Sequence, residues 1–149
     1  RRDAPTHVPR PTLPHPHKAP AGVRVAVLAP AVGAAGAVRV VHEQARRRLA
    51  AVTGLVPVEY ATTRQVGSSP QARAADVNSA FADRSIRGIL AVIGGDDQIT
   101  VIPHLDADLA RRDPQPFVAN SDKTHLQQRL WANGVASVFS GSVQVNCGP

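Results

Sequence analysis

The stretch Gly88-Ile89-Leu90-Ala91-Val92-Ile93-Gly94-Gly95-Asp96-Asp97-Gln98-Ile99-Thr100 decides the fold of this chain. Its apolar run, 89–93, is long enough for a strand that is buried on both faces, as in a parallel sheet. Gly94 and Gly95 end the run, because glycine allows backbone angles closed to other residues and lets a ligand approach the main chain. A strand, a tight turn and a helix start would aim residue 98 into a crevice at the carboxyl edge of an α/β sheet.

The side chain that this turn would present is that of Gln98. A hydrolase would hold its nucleophile there, but a carboxamide is neither a nucleophile nor a base. Thr100 carries a hydroxyl two residues further on, but on a helix its side chain would point elsewhere. Asp96 and Asp97 stand at the helix start, where carboxylates are more typical of caps than of nucleophiles.

Strands and helices alternate on the amino-terminal side of this stretch. Residues 23–30 and 55–60 are predicted strands, and the second contains a proline typical of an edge strand. A helix is predicted over 37–52, and a second over 70–82 with Ser69 as its cap. The inward-facing stripe predicted for the first helix is Val38, Val41, Ala45, Leu49 and Val52.

The same alternation continues to the carboxyl-terminal side. Helical pieces are predicted over 98–102 and 107–112, and a strand over 116–120. Ser121 is predicted to cap a helix over 122–132, whose inward residues include Leu126, Leu130 and Trp131. A last strand follows over 135–139, and 140–149 is expected to trail off. This order predicts an α/β fold: a mostly parallel sheet with helices on both faces, in a flavodoxin-like three-layer arrangement.

Composition limits the function classes. Nine of the seventeen Lys and Arg residues, but only two of the eleven acidic residues, lie in residues 1–48, so the net charge of +6 belongs to the first third. With one Trp, one Tyr and three Phe, the chain lacks aromatic residues interleaved for base stacking, and nucleic-acid binding is not expected. No apolar run reaches the roughly 20 residues that a membrane span needs. The single cysteine, Cys147, favours a cytoplasmic setting and is expected to be an inert thiol.

Residues 1–21 are predicted to be a disordered or extended lead, because six of the thirteen prolines lie there. His15 and His17 in this lead are a poor metal cage, and no metal or cofactor is expected. His42, His104 and His125 show no spacing typical of a serine–histidine–acid set. The glycine- and alanine-rich loop 31–36 lacks the nucleotide-binding glycine patterns.

Four segments in this order resemble one family. They are Val25-Ala26-Val27-Leu28-Ala29-Pro30, Ser69-Pro70-Gln71-Ala72-Arg73-Ala74-Ala75-Asp76-Val77, Ile93-Gly94-Gly95-Asp96-Asp97-Gln98-Ile99 and Asn120-Ser121-Asp122-Lys123-Thr124. They look like the N-terminal domain of the LD-carboxypeptidases, in the branch that includes the microcin C immunity proteins. The resemblance covers residues 22–145, and 146–149 would be a tail.

The resemblance implies a cytoplasmic serine peptidase, usually dimeric and without a metal or cofactor. The family reaction is hydrolysis of an amide bond beside a terminal carboxylate, in muropeptides or in peptide–nucleotide conjugates. The resemblance places the nucleophilic serine at Gln98, the oxyanion-binding amides around Gly94, Gly95 and Ile99, and Asp97 beside them. Ser121 and Asp122 match a motif beside the crevice, although a helix cap explains the same two residues equally well.

Two departures from the family pattern predict an impaired peptidase. Gln98 replaces the serine, and the C-terminal domain that would carry the glutamate and histidine of the triad is expected to be absent. The first hypothesis is therefore an LD-carboxypeptidase-like domain with little or no activity of its own. The alternative is a peptide-binding or regulatory module that keeps the crevice and binds a peptide carboxylate.

Overall fold

The computed structural model describes residue 13 and residues 17–148, so most of the predicted lead lies outside the described residues. One sheet contains the strands β1 (Arg24–Leu28), β2 (Val56–Glu59), β3 (Ile86–Ala91), β4 (Phe117–Ala119) and β5 (Val138–Phe139). Their order is β2-β1-β3-β4-β5, and every pairing is parallel. This order is that of flavodoxin-like sheets, which confirms the predicted fold class.

Helices cover both faces of this sheet, as predicted. The α-helices are α1 (Ala34–Ala37), α2 (Arg39–Thr53), α3 (Pro70–Ala82), α4 (Ala107–Arg112), α5 (Thr124–Ala132) and α6 (Val143–Cys147). Short 3₁₀ turns span Gln98–Thr100, Ile102–His104 and Ser121–Lys123. The larger core cluster contains residues of α3, α4 and α5, whereas the smaller one contains residues of α1, α2 and α6.

The central strands are buried on both faces. In β1, Ala26 and Leu28 belong to the larger cluster, and Val27 belongs to the smaller one. In β3, Ile86 and Ile89 both face the larger cluster although they are three residues apart. An irregularity in the β1–β3 register between these two residues accounts for this, because an extra residue reverses the alternation of side chains.

The helix α3 follows its sequence signals closely. Ser69 caps it by accepting a hydrogen bond from the Ala72 amide at 3.2 Å, and Pro70 occupies the first turn. The predicted inward residues Ala74, Val77 and Phe81 are buried. Local chemistry at its first residues was therefore sufficient to place this helix.

The inward stripe predicted for α2 is only partly correct. Ala45 and Leu49 are buried, but Val38 and Val52 are exposed. The third buried residue of the helix is His42, whose Nε2 is hydrogen-bonded to Glu59 at the end of β2. The helix is thus oriented by a polar contact that its apolar spacing does not encode.

Three predictions for the last third are wrong. Ser121 does not cap a helix, because it begins a 3₁₀ turn with φ of +56°, and α5 starts three residues later. Trp131 is exposed rather than inward. The segment expected to trail off contains α6, whose Val143 packs in the smaller core cluster.

Candidate active site

The glycine turn, residues 94–97, lies between two neighbouring loops at the carboxyl edge of the sheet. A Cβ atom placed on Gly94 would lie 2.8 Å from Ser121 Oγ, and one on Gly95 would lie 2.7 Å from Ala31 Cβ. Neither glycine has a positive φ. The prediction that these glycines supply unusual backbone angles is therefore wrong, since close packing by the loops after β1 and β4 is what excludes a side chain.

Gln98 does not face a crevice. Its side chain is 0% exposed, and its Oε1 accepts a hydrogen bond from the Leu126 amide at 3.2 Å. Leu126 lies in the first turn of α5, where backbone N–H groups have no partner within the helix. The expectation that the turn aims residue 98 outward is thus wrong for this chain. The carboxamide is long enough to reach inward and to accept a hydrogen bond from an N–H group at the start of α5.

Asp97 forms a bidentate ion pair with Arg73 on α3. The distance from Nη1 to Oδ1 is 2.8 Å and that from Nη2 to Oδ2 is 2.9 Å, and the Arg73 side chain is 4% exposed. The Arg73 hydrogen bonds lower the pKa of Asp97 below its ordinary value, against the opposing effect of burial. The prediction that Asp97 acts as a helix cap is wrong, since its carboxylate makes no capping hydrogen bond to the following turn.

Arg73 was missed by the sequence analysis, although a signal for it existed. It lies four residues before Val77 and eight before Phe81, so it falls on the buried stripe of α3. A charged residue on such a stripe needs a buried or half-buried partner of opposite charge. Asp97 is that partner.

Asp122 and Lys123, which are consecutive in sequence, hold the two ends of the glycine turn. Asp122 Oδ2 accepts a hydrogen bond from the backbone N–H of Gln98 at 2.9 Å. Lys123 Nζ donates to the carbonyl oxygen of Ile93, the residue before the turn. Asp122 therefore lies beside the turn, and neither it nor Ser121 caps α5 through its side chain.

Lys123 is the second functional candidate that the sequence analysis missed. Its side chain is 0% exposed. Burial lowers the pKa of Lys123 to about 8, although Asp122 and Asp97 act in the opposite direction. No periodicity predicts this burial, because the contact that fixes it is 30 residues away in sequence.

Several backbone amides of the turn region have no hydrogen-bond partner. Within residues 17–148, these include the N–H groups of Gly94, Gly95, Asp96 and Ile99. Ile99 is more than half exposed. The hydroxyl of Thr100 is engaged with the Asp97 carbonyl at 2.6 Å, so it does not replace the missing nucleophile. These amides are the groups that could bind an anion.

We call Arg73, Asp97, Gln98, Asp122 and Lys123 the turn cluster. A second polar group, the α2 cluster, consists of His42, Glu43, Arg46, Glu59 and Arg64. Hydrogen bonds from Arg64 and then Arg46 lower the pKa of Glu43 to about 2. Burial raises the pKa of Glu59, but hydrogen bonds from Arg64 and His42 outweigh it and leave that pKa below its ordinary value.

The other predicted features are placed as follows. His125 Nε2 lies 3.7 Å from Asp122 Oδ1, and His104 is exposed. The Cys147 thiol is half-buried, and burial raises its pKa, which makes the thiolate scarcer. In the described ranges, no three His, Cys, Asp or Glu side chains are grouped to hold a metal ion. No helix in that part of the chain is long and apolar enough to cross a membrane.

Comparison with known proteins gives consistent results. The family model described as the N-terminal domain of LD-carboxypeptidases matches residues 25–141. A putative carboxypeptidase of Treponema pallidum is 34% identical over 74 residues, which is 50% of this chain and 22% of that protein. The chain therefore spans less than half the length of this curated relative.

Solved structures share the fold. A MccF-like protein from Bacillus anthracis superimposes with a TM-score of 0.81 and 23% identity, covering 87% of this chain and 40% of that one. A MccF-like protein from Streptococcus pneumoniae, solved in complex with AMP, gives 0.74 and 25%, covering 84% and 39%.

Proposed function

Because the chain belongs to the LD-carboxypeptidase family, we propose that it is a member in which the family reaction, hydrolysis of an amide bond beside a terminal carboxylate, is lost or strongly impaired. The observation that carries this proposal is the environment of Gln98. The position where the family resemblance puts a serine holds a fully buried carboxamide that is bonded to α5. Such a group can neither attack a carbonyl nor accept its proton.

The first test is hydrolysis of an L,D-tetrapeptide by the 149-residue chain and by Gln98→Ser. We expect no release of the terminal D-amino acid above the blank for either protein. The serine hydroxyl would sit inside the packed turn cluster, where Asp122 and Lys123 are already bonded to the backbone of the turn. Turnover by the unmodified chain would refute the proposal. Turnover by Gln98→Ser alone would show that only the nucleophile is missing.

A second candidate function, supported by the unpaired amides of Gly94, Gly95 and Ile99, is binding without turnover. Backbone N–H groups that converge on one point bind anions. The turn would then accept the terminal carboxylate of a peptide, a muropeptide or a peptide–nucleotide conjugate. Peptide–nucleotide conjugates are included among these ligands because the MccF-like protein from Streptococcus pneumoniae was solved in complex with AMP.

Calorimetry separates this binding function from an inert domain. The L,D-tetrapeptide and its C-terminal amide form a matched pair, because they differ only in the charge of the group that would meet the turn. We expect the acid to bind more tightly than the amide. Equal affinities, or no heat from either ligand, would exclude the turn as a carboxylate site.

A cytoplasmic homodimer, implied by the family resemblance, is part of the same proposal. Light scattering checks whether the chain is a dimer.

A further inference from the structure

We propose that Lys123 is a positioning residue: by holding the Ile93 carbonyl inward, it points the Gly94 N–H outward, toward the ligand. This inference rests on the carboxylate-binding function proposed above. Lys123 does not touch the ligand in this arrangement. It acts through one peptide plane of the glycine turn.

The geometry of the peptide bond carries the first step. The bond between Ile93 and Gly94 is trans, as are all peptide bonds in the described part of the chain. In a planar trans peptide the C=O and N–H groups point in opposite directions. The Ile93 carbonyl receives a hydrogen bond from the fully buried Lys123 ammonium. The N–H of the same peptide, that of Gly94, therefore faces away from the buried ammonium.

The second step is that this peptide has little else to fix it. The backbone ladder of β3 continues only as far as Val92, whose amide donates to the Leu28 carbonyl and whose carbonyl accepts from the Gln144 amide. Gly94 and Gly95 follow, and glycine offers the least resistance to rotation of a peptide plane. Without a donor at Ile93 O, the peptide is free to flip, and the Gly94 N–H would no longer be presented.

The third step is the pairing of Lys123 with its neighbour. Asp122 accepts the Gln98 N–H at one end of the turn, and Lys123 donates to the Ile93 C=O at the other end. The Asp122 carboxylate thus accepts from an N–H group, and the Lys123 ammonium donates to a carbonyl oxygen. Each of these charge-assisted hydrogen bonds is stronger than a neutral one. The two residues together fix both ends of the segment that carries the unpaired amides.

The charged groups around Lys123 determine how this contact depends on pH. Asp122 and Asp97 face it and favour its charged form, whereas burial and Arg73 oppose that form. The balance leaves the Lys123 pKa at about 8. Above that pH a neutral amine remains, and its hydrogen bond to the Ile93 carbonyl is weaker.

The test follows the Gly94 amide by ¹⁵N NMR in the unmodified chain, in Lys123→Met and in the control Lys18→Met, whose lysine is exposed. In the unmodified chain and the control, we expect the Gly94 resonance to titrate with a midpoint of about pH 8. In Lys123→Met it should be displaced and pH-independent. Affinity for the L,D-tetrapeptide should fall about tenfold in Lys123→Met, and affinity for its C-terminal amide should not change.

The outcomes separate this inference from the proposed function. A Gly94 amide that stays unshifted while the Lys123 ammonium, followed by its own ¹⁵Nζ resonance, loses its proton would overturn the role of Lys123, and this result requires no variant to fold. A displaced Gly94 amide in Lys123→Met, with no ligand binding by the unmodified chain, would support the positioning role and refute the binding function. A change in thermal stability with an unchanged Gly94 amide would reduce Lys123 to a structural residue.

Discussion

The turn cluster and the α2 cluster contain similar side chains but have different consequences for the backbone. Each contains two carboxylates, at least one arginine and a fully buried basic residue. In the turn cluster, three of the hydrogen bonds end on backbone atoms, those of Ile93, Gln98 and Leu126. In the α2 cluster, the ion pairs join side chains only. The first cluster therefore fixes the path of the chain, and the second fixes the positions of side chains.

The arginine side chains of the two clusters also differ in their exposure to solvent. Arg73 of the turn cluster is 4% exposed, whereas Arg64 of the α2 cluster is 35% exposed. Ion pairs in contact with water add little to stability, because hydration competes with the partner. When one member of an ion pair is buried, water cannot reach that member and compete with its partner in this way. The comparison teaches that charge content alone does not locate the groups that matter for the site.

The largest expected difference between the two clusters is their response to alkaline pH. The folded chain loses the Lys123 proton near pH 8, but the unfolded chain keeps it to near 10.5. Between these values the unfolded state binds more protons, so the free energy of unfolding rises with pH, by about 3 kcal/mol at most. Urea unfolding of the unmodified chain and of Lys123→Met, at several pH values in this window, measures the difference.

The α2 cluster provides the contrast for that measurement. Its glutamates have lowered pKa values, and that of Arg64 is raised, so these groups do not titrate in this window. Replacing Glu43 by Gln should therefore leave the pH dependence between 8 and 10.5 unchanged. A slope that disappears in Glu43→Gln but persists in Lys123→Met would reverse the assignment.

The next largest difference is expected between Arg73→Met and Arg64→Met. Loss of Arg73 removes two hydrogen bonds and leaves the Asp97 carboxylate, which is 44% exposed, without its partner. We expect a loss of about 2 kcal/mol in the free energy of unfolding. Arg64→Met should cost less than about 1 kcal/mol, because its pairs face solvent. Equal losses, measured by urea unfolding at pH 7, would contradict the comparison.

The smallest effect expected is that of Gln98→Leu. The change leaves the Leu126 N–H at the start of α5 without an acceptor, but it also removes Nε2, a buried group with no partner among the described residues. The two effects oppose each other, and we expect a net loss of about 1 kcal/mol. Gln44→Leu, on the exposed face of α2, is the control and should be nearly neutral. A stabilised Gln98→Leu would show that the carboxamide is not needed by α5.

Sequence patterns were sufficient wherever the deciding interaction is local. Ser69 and Pro70 marked the start of α3. The helix α2 ends at Thr53, one residue beyond its predicted bound, and is followed by Gly54 with φ of +70°. The alternation of apolar runs with helical stretches gave the parallel sheet. In each case the residues that determine the element lie within a few positions of one another, so a single sequence contains the signal.

The candidate site was harder to predict, because its contacts join distant segments. Gln98, Asp97 and Ile93 find their partners 24 to 30 residues away. The two glycines drew attention to the turn in the sequence, although close packing and not unusual backbone angles is the reason for them in the structure. The inward orientation of Gln98, the burial of Lys123 and the role of Arg73 all required the fold.

The adjacency of Asp122 and Lys123 sets a limit on insertions and deletions. A shift of one residue between β4 and α5 would, depending on its direction, bring the Lys123 ammonium opposite the Gln98 backbone N–H or the Asp122 carboxylate opposite the Ile93 C=O, and either contact would be repulsive. The polar loop between β2 and α3 has no such double constraint on the turn. Length variation among natural or designed variants should therefore accumulate in that loop, and the four-residue connection 120–123 should keep a constant length.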